Sequence, residues 1–340
     1  MKLYYYESKT GNFGDDLNKW LWDEMQAGFF DDNADIRFSS IGTIINKGMP
    51  PAKKWIVFSS GIGYGYAPKG FGDDNWDIIC VRGPLSAFIL DLPDDKYITD
   101  GAALLSTLPE FKPLPEEERK GIIFIPHHNA LDTGNWEKVC EQVGVEFVNP
   151  TLDSKFVIQK IRHAKLVLAD AMHAAIISDA MRVPWIPMIT SNQINTFKWL
   201  DWSNTIKVPY NPIVLGSSTL KELVRNRLLF AYGEKYYVPE LTKEAAINKF
   251  KLHRSLKTNV LWPYYSKIAK FLFYRTPMAL ISMLGSKYIQ RINDDLLESA
   301  AQKMKMALSS TSFLSKDEVF YDNQKRLVHS FKEVISKYSK

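Results

Sequence analysis

Histidine 173 stands in Asp170-Ala171-Met172-His173-Ala174-Ala175, where an apolar run ends in an acid and small residues turn into a helix-period segment. The first turn of such a helix presents free N–H groups and a partial positive charge to anions, so an imidazole there is placed to meet a charged substrate. A helix-capping or core imidazole is the structural alternative. Arg82, in Val81-Arg82-Gly83-Pro84, stands at a second strand-to-helix junction, with a planar fork matched to carboxylate and phosphate oxygens. A surface salt bridge would use the same residue type.

Three further groups carry chemistry. Asn12-Phe13-Gly14-Asp15-Asp16 follows the opening strand: Gly14 permits a tight turn, Asn12 offers a two-sided amide, and two adjacent acids exceed what one helix cap requires. One of Asp15 and Asp16 is therefore expected to cap the helix and the other to face a sugar hydroxyl. Asp100 ends a strand before Gly101 and reads as a turn former or a base. His127 and His128 follow another strand, each a substrate contact or a satisfied imidazole. Adjacent histidines point in different directions and have no Cys or acidic partner at ligand spacing, so no tight metal site is expected. Ser59-Ser60-Gly61-Ile62-Gly63-Tyr64-Gly65 looks like a dinucleotide fingerprint, yet its third glycine comes too early and no acid ends a neighbouring strand. Gly61 and Gly63 remain able to bring backbone N–H groups to a phosphate or carboxylate.

The elements that must hold these residues alternate. Strand-like runs fall at 2–6, 55–59, 77–81, 97–99, 121–126, 145–148, 165–169, 183–189 and 206–209, and helix-period segments at 15–26, 83–90, 136–143, 154–163, 172–181 and 219–232. Pro84 suits a first helical turn, and Asp153 or Ser154 suits a cap. Alternation of this kind predicts an α/β fold with parallel sheets. The proline- and charge-rich stretch 108–120 reads as an exposed connector. The expected organisation is a Rossmann-like domain over 1–118, a second over 119–236 facing it across a cleft, and a basic helical extension over 237–340.

In that extension the helices are expected at 242–256, 264–274, 277–289, 294–308 and 317–337. Residues 234–340 hold 19 Lys and Arg against 10 Asp and Glu, which puts the surplus behind the net charge of +5 in the tail. No acid occurs between Ala245 and Asn293. With the aromatics of 261–275, that segment suits contact with an anionic membrane surface or docking against protein. No stretch reaches the roughly 18 apolar residues that span a bilayer. Residues 1–7 run into a strand pattern without a signal-peptide core, and two isolated cysteines make no disulfide framework. A cytoplasmic location follows, and without a recognisable module nucleic-acid binding is not expected.

Asn12-Phe13-Gly14-Asp15-Asp16, Gly61-Ile62-Gly63, Val81-Arg82-Gly83-Pro84, Asp100, Pro126-His127-His128 and Met172-His173-Ala174-Ala175 with Val183-Pro184 together resemble the polysaccharide pyruvyl transferase family. The likeness covers roughly residues 1–215 and is strongest to the branch that adds pyruvate ketals to bacterial exopolysaccharides of succinoglycan type. It implies a two-domain fold similar to GT-B glycosyltransferases. It also implies a transferase of exopolysaccharide or capsule biosynthesis, which membrane contact through the basic tail would make peripheral on the inner face of the membrane. The implied donor is phosphoenolpyruvate, with no separate cofactor, and the implied acceptor a sugar hydroxyl pair of a polysaccharide or its lipid-linked repeat unit.

In the implied chemistry, protonation at C3 makes C2 electrophilic and a hydroxyl attacks. Phosphate then leaves the tetrahedral adduct, and a second hydroxyl closes the ketal. The resemblance assigns His173 as general acid, Arg82 and the Gly61–Gly63 loop to the donor's anionic groups, and Asp16 or Asp100 to the acceptor hydroxyl. Asn12, Gly14, Asp15, His127 and His128 fall to substrate binding. Many members carry arginine two residues before the histidine; Ala171 stands there instead, leaving Arg82, Arg182 or a backbone nest to compensate. Two other classes share parts of this pattern. One is a GT-B nucleotide-sugar glycosyltransferase, the other a non-catalytic assembly protein using the basic tail.

Overall fold

The computed structural model describes residues 1–283 and 287–339. The first sheet comprises β1 (Lys2–Tyr4), β2 (Ile36–Ser39), β3 (Lys54–Ser60) and β4 (Trp76–Val81), all parallel and in that spatial order. The second comprises β5 (Ile122–Ile125), β6 (Glu146–Phe147), β7 (Leu166–Ala169), β8 (Trp185–Ile189) and β9 (Ile213–Val214), parallel in the order β6-β5-β7-β8-β9. Strands covered on both faces read as unbroken apolar runs, which is why β8 is buried at all five positions. The order of the second sheet reverses between β5 and β7. In open parallel sheets that reversal opens a crevice at the strands' carboxyl ends.

Helices α1 (Phe13–Asp16), α2 (Leu21–Met25) and α3 (Pro84–Ile89) belong to the first half, and α4 (Trp136–Val143), α5 (Ser154–His163), α6 (Met172–Ala180), α7 (Thr196–Ser203) and α8 (Leu220–Leu228) to the second. Asp153 caps α5 by accepting from the Phe156 amide at 2.9 Å. The halves share one apolar core, in which Phe13 and Leu17 join Val157 and Ile161. The Phe13 amide donates to the Pro150 carbonyl at 3.0 Å and Ser154 Oγ to the Phe13 carbonyl at 2.8 Å. Gly11 makes this approach feasible: its φ is +88°, and a Cβ there would lie 2.4 Å from the Thr151 carbonyl oxygen.

Several elements differ from expectation. The expected helix over 15–26 is broken into α1, a 3₁₀ turn at Leu17–Lys19 and α2. Residues 97–99 contribute one bridge, Tyr97 to Val81, and the last strand is Ile213–Val214 rather than 206–209. The connector is pinned rather than free: Phe111 is buried, and Arg119 donates to the Leu114 and Arg182 carbonyls.

The C-terminal region consists of α9 (Lys243–Thr258), α10 (Trp262–Lys270), a π-helical turn at Phe271–Arg275, α11 (Thr276–Met283), α12 (Lys287–Ala307) and α13 (Asp317–Tyr338). Part of the helix expected over 277–289, residues 284–286, lies outside the described residues. Helix α13 packs on the first sheet, where the Phe331 ring lies 5.3 Å from that of Trp22 and 5.7 Å from that of Phe58. Helix α12 packs on α4. Helices α10 and α11, by contrast, turn apolar side chains outward, with Tyr264 71% and Met283 81% exposed. Among the described residues, no helix is long and apolar enough to cross a membrane.

Candidate active site

A cavity of about 600 Å³ lies where the carboxyl ends of both sheets meet. Residues after β1, β2 and β3 form one wall (Asn12, Asp15, Thr43, Tyr64), and residues after β5, β7 and β8 form the other (His127, His128, His173, Lys198).

Asp170 aligns the second wall. Its carboxylate accepts from the His127 amide at 2.7 Å, the Thr190 amide at 3.0 Å and Thr190 Oγ1 at 2.8 Å, tying together the ends of β5, β7 and β8. Burial raises Asp170 to about 6, against the pull of these bonds. The acid that ends the apolar run is thus a bracket. The bracket presents α6, whose N-terminus receives no side-chain cap and whose first residues, Met172 and His173, line the cavity with Ala171.

The His173 ring lies half-buried in the wall, and its Nε2 is sealed from solvent with no hydrogen-bond partner. Burial, reinforced by the charges of Lys198 and Arg82, lowers His173 to about 3, leaving it neutral in the empty cavity. The rings of His127 and His128 sit 4.3 Å apart, and burial followed by neighbouring charges depresses both. Among the described residues, no group of three His, Cys, Asp or Glu side chains is arranged to hold a metal.

The two acids of the first loop divide as the loop pattern allows, with Asp15 rather than Asp16, which the resemblance assigned to the acceptor, lining the cavity. Asp16 turns back: its Oδ2 accepts from the Asn12 amide at 3.2 Å and its Oδ1 pairs with Lys19 at 2.9 Å, so it caps and does not line the cavity. Asp15 lines it, and its Oδ2 accepts from Asn12 Nδ2 at 2.5 Å. Burial raises Asp15 to about 7; Lys198 opposes the rise while Asp100 and Asp16 add to it. Gly14 lets the imidazole in, because a Cβ there would stand 2.1 Å from His173 Nδ1.

Arg82, Asp100, Gly61 and Gly63 also depart from their expected places, forming a layer beneath the cavity rather than its lining. Arg82 is fully buried, donating from Nε to Asp201 at 3.0 Å and from Nη1 to Thr43 Oγ1 at 2.8 Å, while its Nη2 has no partner. It therefore acts on the cavity through its charge and through Thr43. Asp100 is fully buried and accepts from the Ala102 amide at 3.0 Å, capping the 3₁₀ helix Gly101–Thr107. The Gly61 amide is spent on the Gly42 carbonyl, and a Cβ at Gly61 would strike the Arg82 guanidinium at 2.5 Å. Gly63 borders Lys198 and gives its carbonyl to Asn195 Nδ2 at 2.9 Å. Arg182 is elsewhere altogether, with its guanidinium held by Ser315 and Asp317 at the start of α13.

Lys198, a cation of the cavity wall, was missed by sequence reading. Its ammonium donates to Tyr64 OH at 3.2 Å, and its field reaches His127, His128, His173 and Asp15. A usable signal was present. Asn195 is a cap for α7, accepting from the Phe197 amide at 3.1 Å, and Phe197 and Leu200 repeat at helical spacing on the buried side.

Fold and site together define a two-sheet α/β protein whose cleft brings a helix N-terminus, an ammonium and neutral imidazoles to one cavity. Over 223 residues the chain is 41% identical to the succinoglycan biosynthesis protein ExoV of Rhizobium meliloti (strain 1021), an alignment covering 65% of this chain and 70% of that protein. The chain belongs to the polysaccharide pyruvyl transferase family, in its succinoglycan branch. No family model and no solved structure matches it.

Proposed function

We propose that the cleft moves the pyruvyl group of phosphoenolpyruvate onto a hydroxyl pair of an exopolysaccharide or its lipid-linked repeat unit, closing a ketal and releasing phosphate, on a two-lobed plan of GT-B type. The observation that carries this reading is the neutral, unpartnered His173 at the uncapped start of α6, faced by Lys198 and Asp15. Membership of the family supplies the reaction class.

The donor's charges belong beside Lys198 and the α6 amides, with Lys198 filling the role of the arginine replaced by Ala171. An anion at that position favours the imidazolium, so donor binding lifts His173 from its depressed state and charges it as the acid for C3. Asp15 then receives the proton of the attacking hydroxyl, since Asp16 and Asp100 are committed to caps outside the cavity lining. A carboxylate poised near 7 is suited to that work at neutral pH.

The pH dependence follows from this assignment. Asp15 is active when ionised and burial raises it to about 7, so at saturating donor, where the bound anion keeps His173 charged, kcat for phosphate release should climb as pH rises through the Asp15 titration. Asp15→Asn should remove the climb together with most of the rate. A profile flat between about pH 6 and 8 would take this role away from Asp15.

The donor is tested by thermal shift. Phosphoenolpyruvate should raise the melting temperature, and UDP- and GDP-sugars should not. Stabilisation by a nucleotide sugar alone would favour a glycosyltransferase.

A further inference from the structure

A second cavity of about 540 Å³ adjoins the first, with Glu234 in the wall of both. It lies between α8 and the segment formed by α10 and the π-helical turn, and its charged lining is Arg225, Lys267, Lys270 and Arg275 against the single carboxylate of Glu234. Two of those cations are committed. Lys270 pairs with Glu234, and Arg225 donates to the Asn129 carbonyl and to Gln193 Oε1, both at 2.6 Å. Lys267 and Arg275 pair with no carboxylate among the described residues. Hydrogen bonds from Arg225 to neutral oxygens leave its charge uncompensated, so the lining carries a surplus of three positive charges, which an anionic phosphoryl group would offset.

The cavity is apolar on its outer side. Ile268, Phe271 and Leu272 line it while remaining 50–60% exposed, and the same surface continues along Leu280 and Met283 of α11. Exposed apolar area on this scale marks a binding surface, and here cations without a single acid from Ala245 to Asn293 accompany it. The chain flanking Tyr232 and Glu234 is braced against α10. Gly233 lies against the Trp262 ring, where a Cβ would meet it at 2.5 Å, and Tyr265 OH donates to the Ala231 carbonyl at 2.9 Å. A π-helical turn, a deviation often found at functional sites, forms the rim.

We infer that this second cavity holds the phosphoryl group of a lipid-linked saccharide, its hydrocarbon chain along the exposed face of α10 and α11 and its sugars entering the main cleft past Glu234. The inference deepens the proposed function by giving the acceptor its anchoring site, and it rests on that reading of the acceptor.

The test uses the full chain and phosphatidylcholine vesicles carrying a polyprenyl phosphate or, at equal surface charge, phosphatidylglycerol. Co-sedimentation should favour the polyprenyl phosphate by about tenfold. Lys267→Ala with Arg275→Ala should abolish that preference, whereas Lys287→Ala with Arg291→Ala, the same charge loss on the neighbouring α12, should keep it. Equal retention on both anionic vesicles, or a preference that survives in the Lys267 and Arg275 variant, would overturn the inference. No donor is present in this assay, so the reading of phosphoenolpyruvate stands or falls separately on its thermal shift.

Discussion

Replacing His173 by alanine should lower phosphate release from phosphoenolpyruvate by about 10²–10⁴-fold, the usual contribution of a positioned proton donor, and leave the fold intact. The fold should survive because the ring borders an open cavity and its Nε2 bonds to nothing, so truncation breaks no hydrogen bond at that atom and adds room to existing space. Gly14→Ala provides a second approach that keeps the imidazole. Its methyl would fall 2.1 Å from Nδ1, so the ring must move, and activity should fall in the same direction. Near-normal turnover in both variants, measured as phosphate released, would remove His173 from the reaction.

Asp201→Ala should destabilise the protein by about 3–5 kcal/mol, the cost of stranding one member of a buried ion pair. Asp201 and Arg82 are both fully buried, and the Asp201 carboxylate also accepts from the Ser86 amide at 2.8 Å and Ser86 Oγ at 2.6 Å. Its loss leaves a guanidinium and a serine without their partners in the dry layer beneath the cleft. The pair also ties residue 82 of the first half to α7, the helix that carries Lys198, so donor stabilisation should weaken in the same variant. Denaturant midpoints at unchanged slope measure the first effect. A shift under about 1 kcal/mol would mean that the pair does not hold the halves together.

The sequence was most legible where local rules and tertiary demand agree. Helices α4 and α5 span the expected residues, because amphipathic spacing and, for α5, the Asp153 cap fix their limits. The turn from β7 into α6 was legible for the same reason: an apolar run, an acid and a helix period leave little freedom. Strand β2 was missed because it is four residues long and only its last two are buried. Helix α7 was hidden by the polar lead-in Thr190 to Asn195, and with it went Lys198 and Asp201.

The roles of the first-loop acids could not be read from adjacency. Asp15 and Asp16 differ only in which way each side chain turns, a choice made by Lys19 for one and by Asn12 and the cavity for the other. Arg82 was placed at the correct junction, but its partner stands 119 residues away, and only the packing of α7 against α3 reveals that the guanidinium is internal. The basic tail divides according to amphipathicity carried over length. Helices α12 and α13 are long enough to bury a continuous stripe, while α10 and α11 are short and leave theirs in solvent.

Every residue role proposed for this cleft depends on transfer of a pyruvyl group. Incubating the protein with phosphoenolpyruvate and galactosides or glucosides as acceptors, then following phosphate and the mass of the saccharide together, tests this most directly. The expected result is release of one phosphate for each saccharide that gains the mass of one pyruvyl ketal, with both signals lost in His173→Ala. Unchanged saccharide mass across the acceptors, lipid-linked ones included, or an equal gain in the His173 variant, would contradict it.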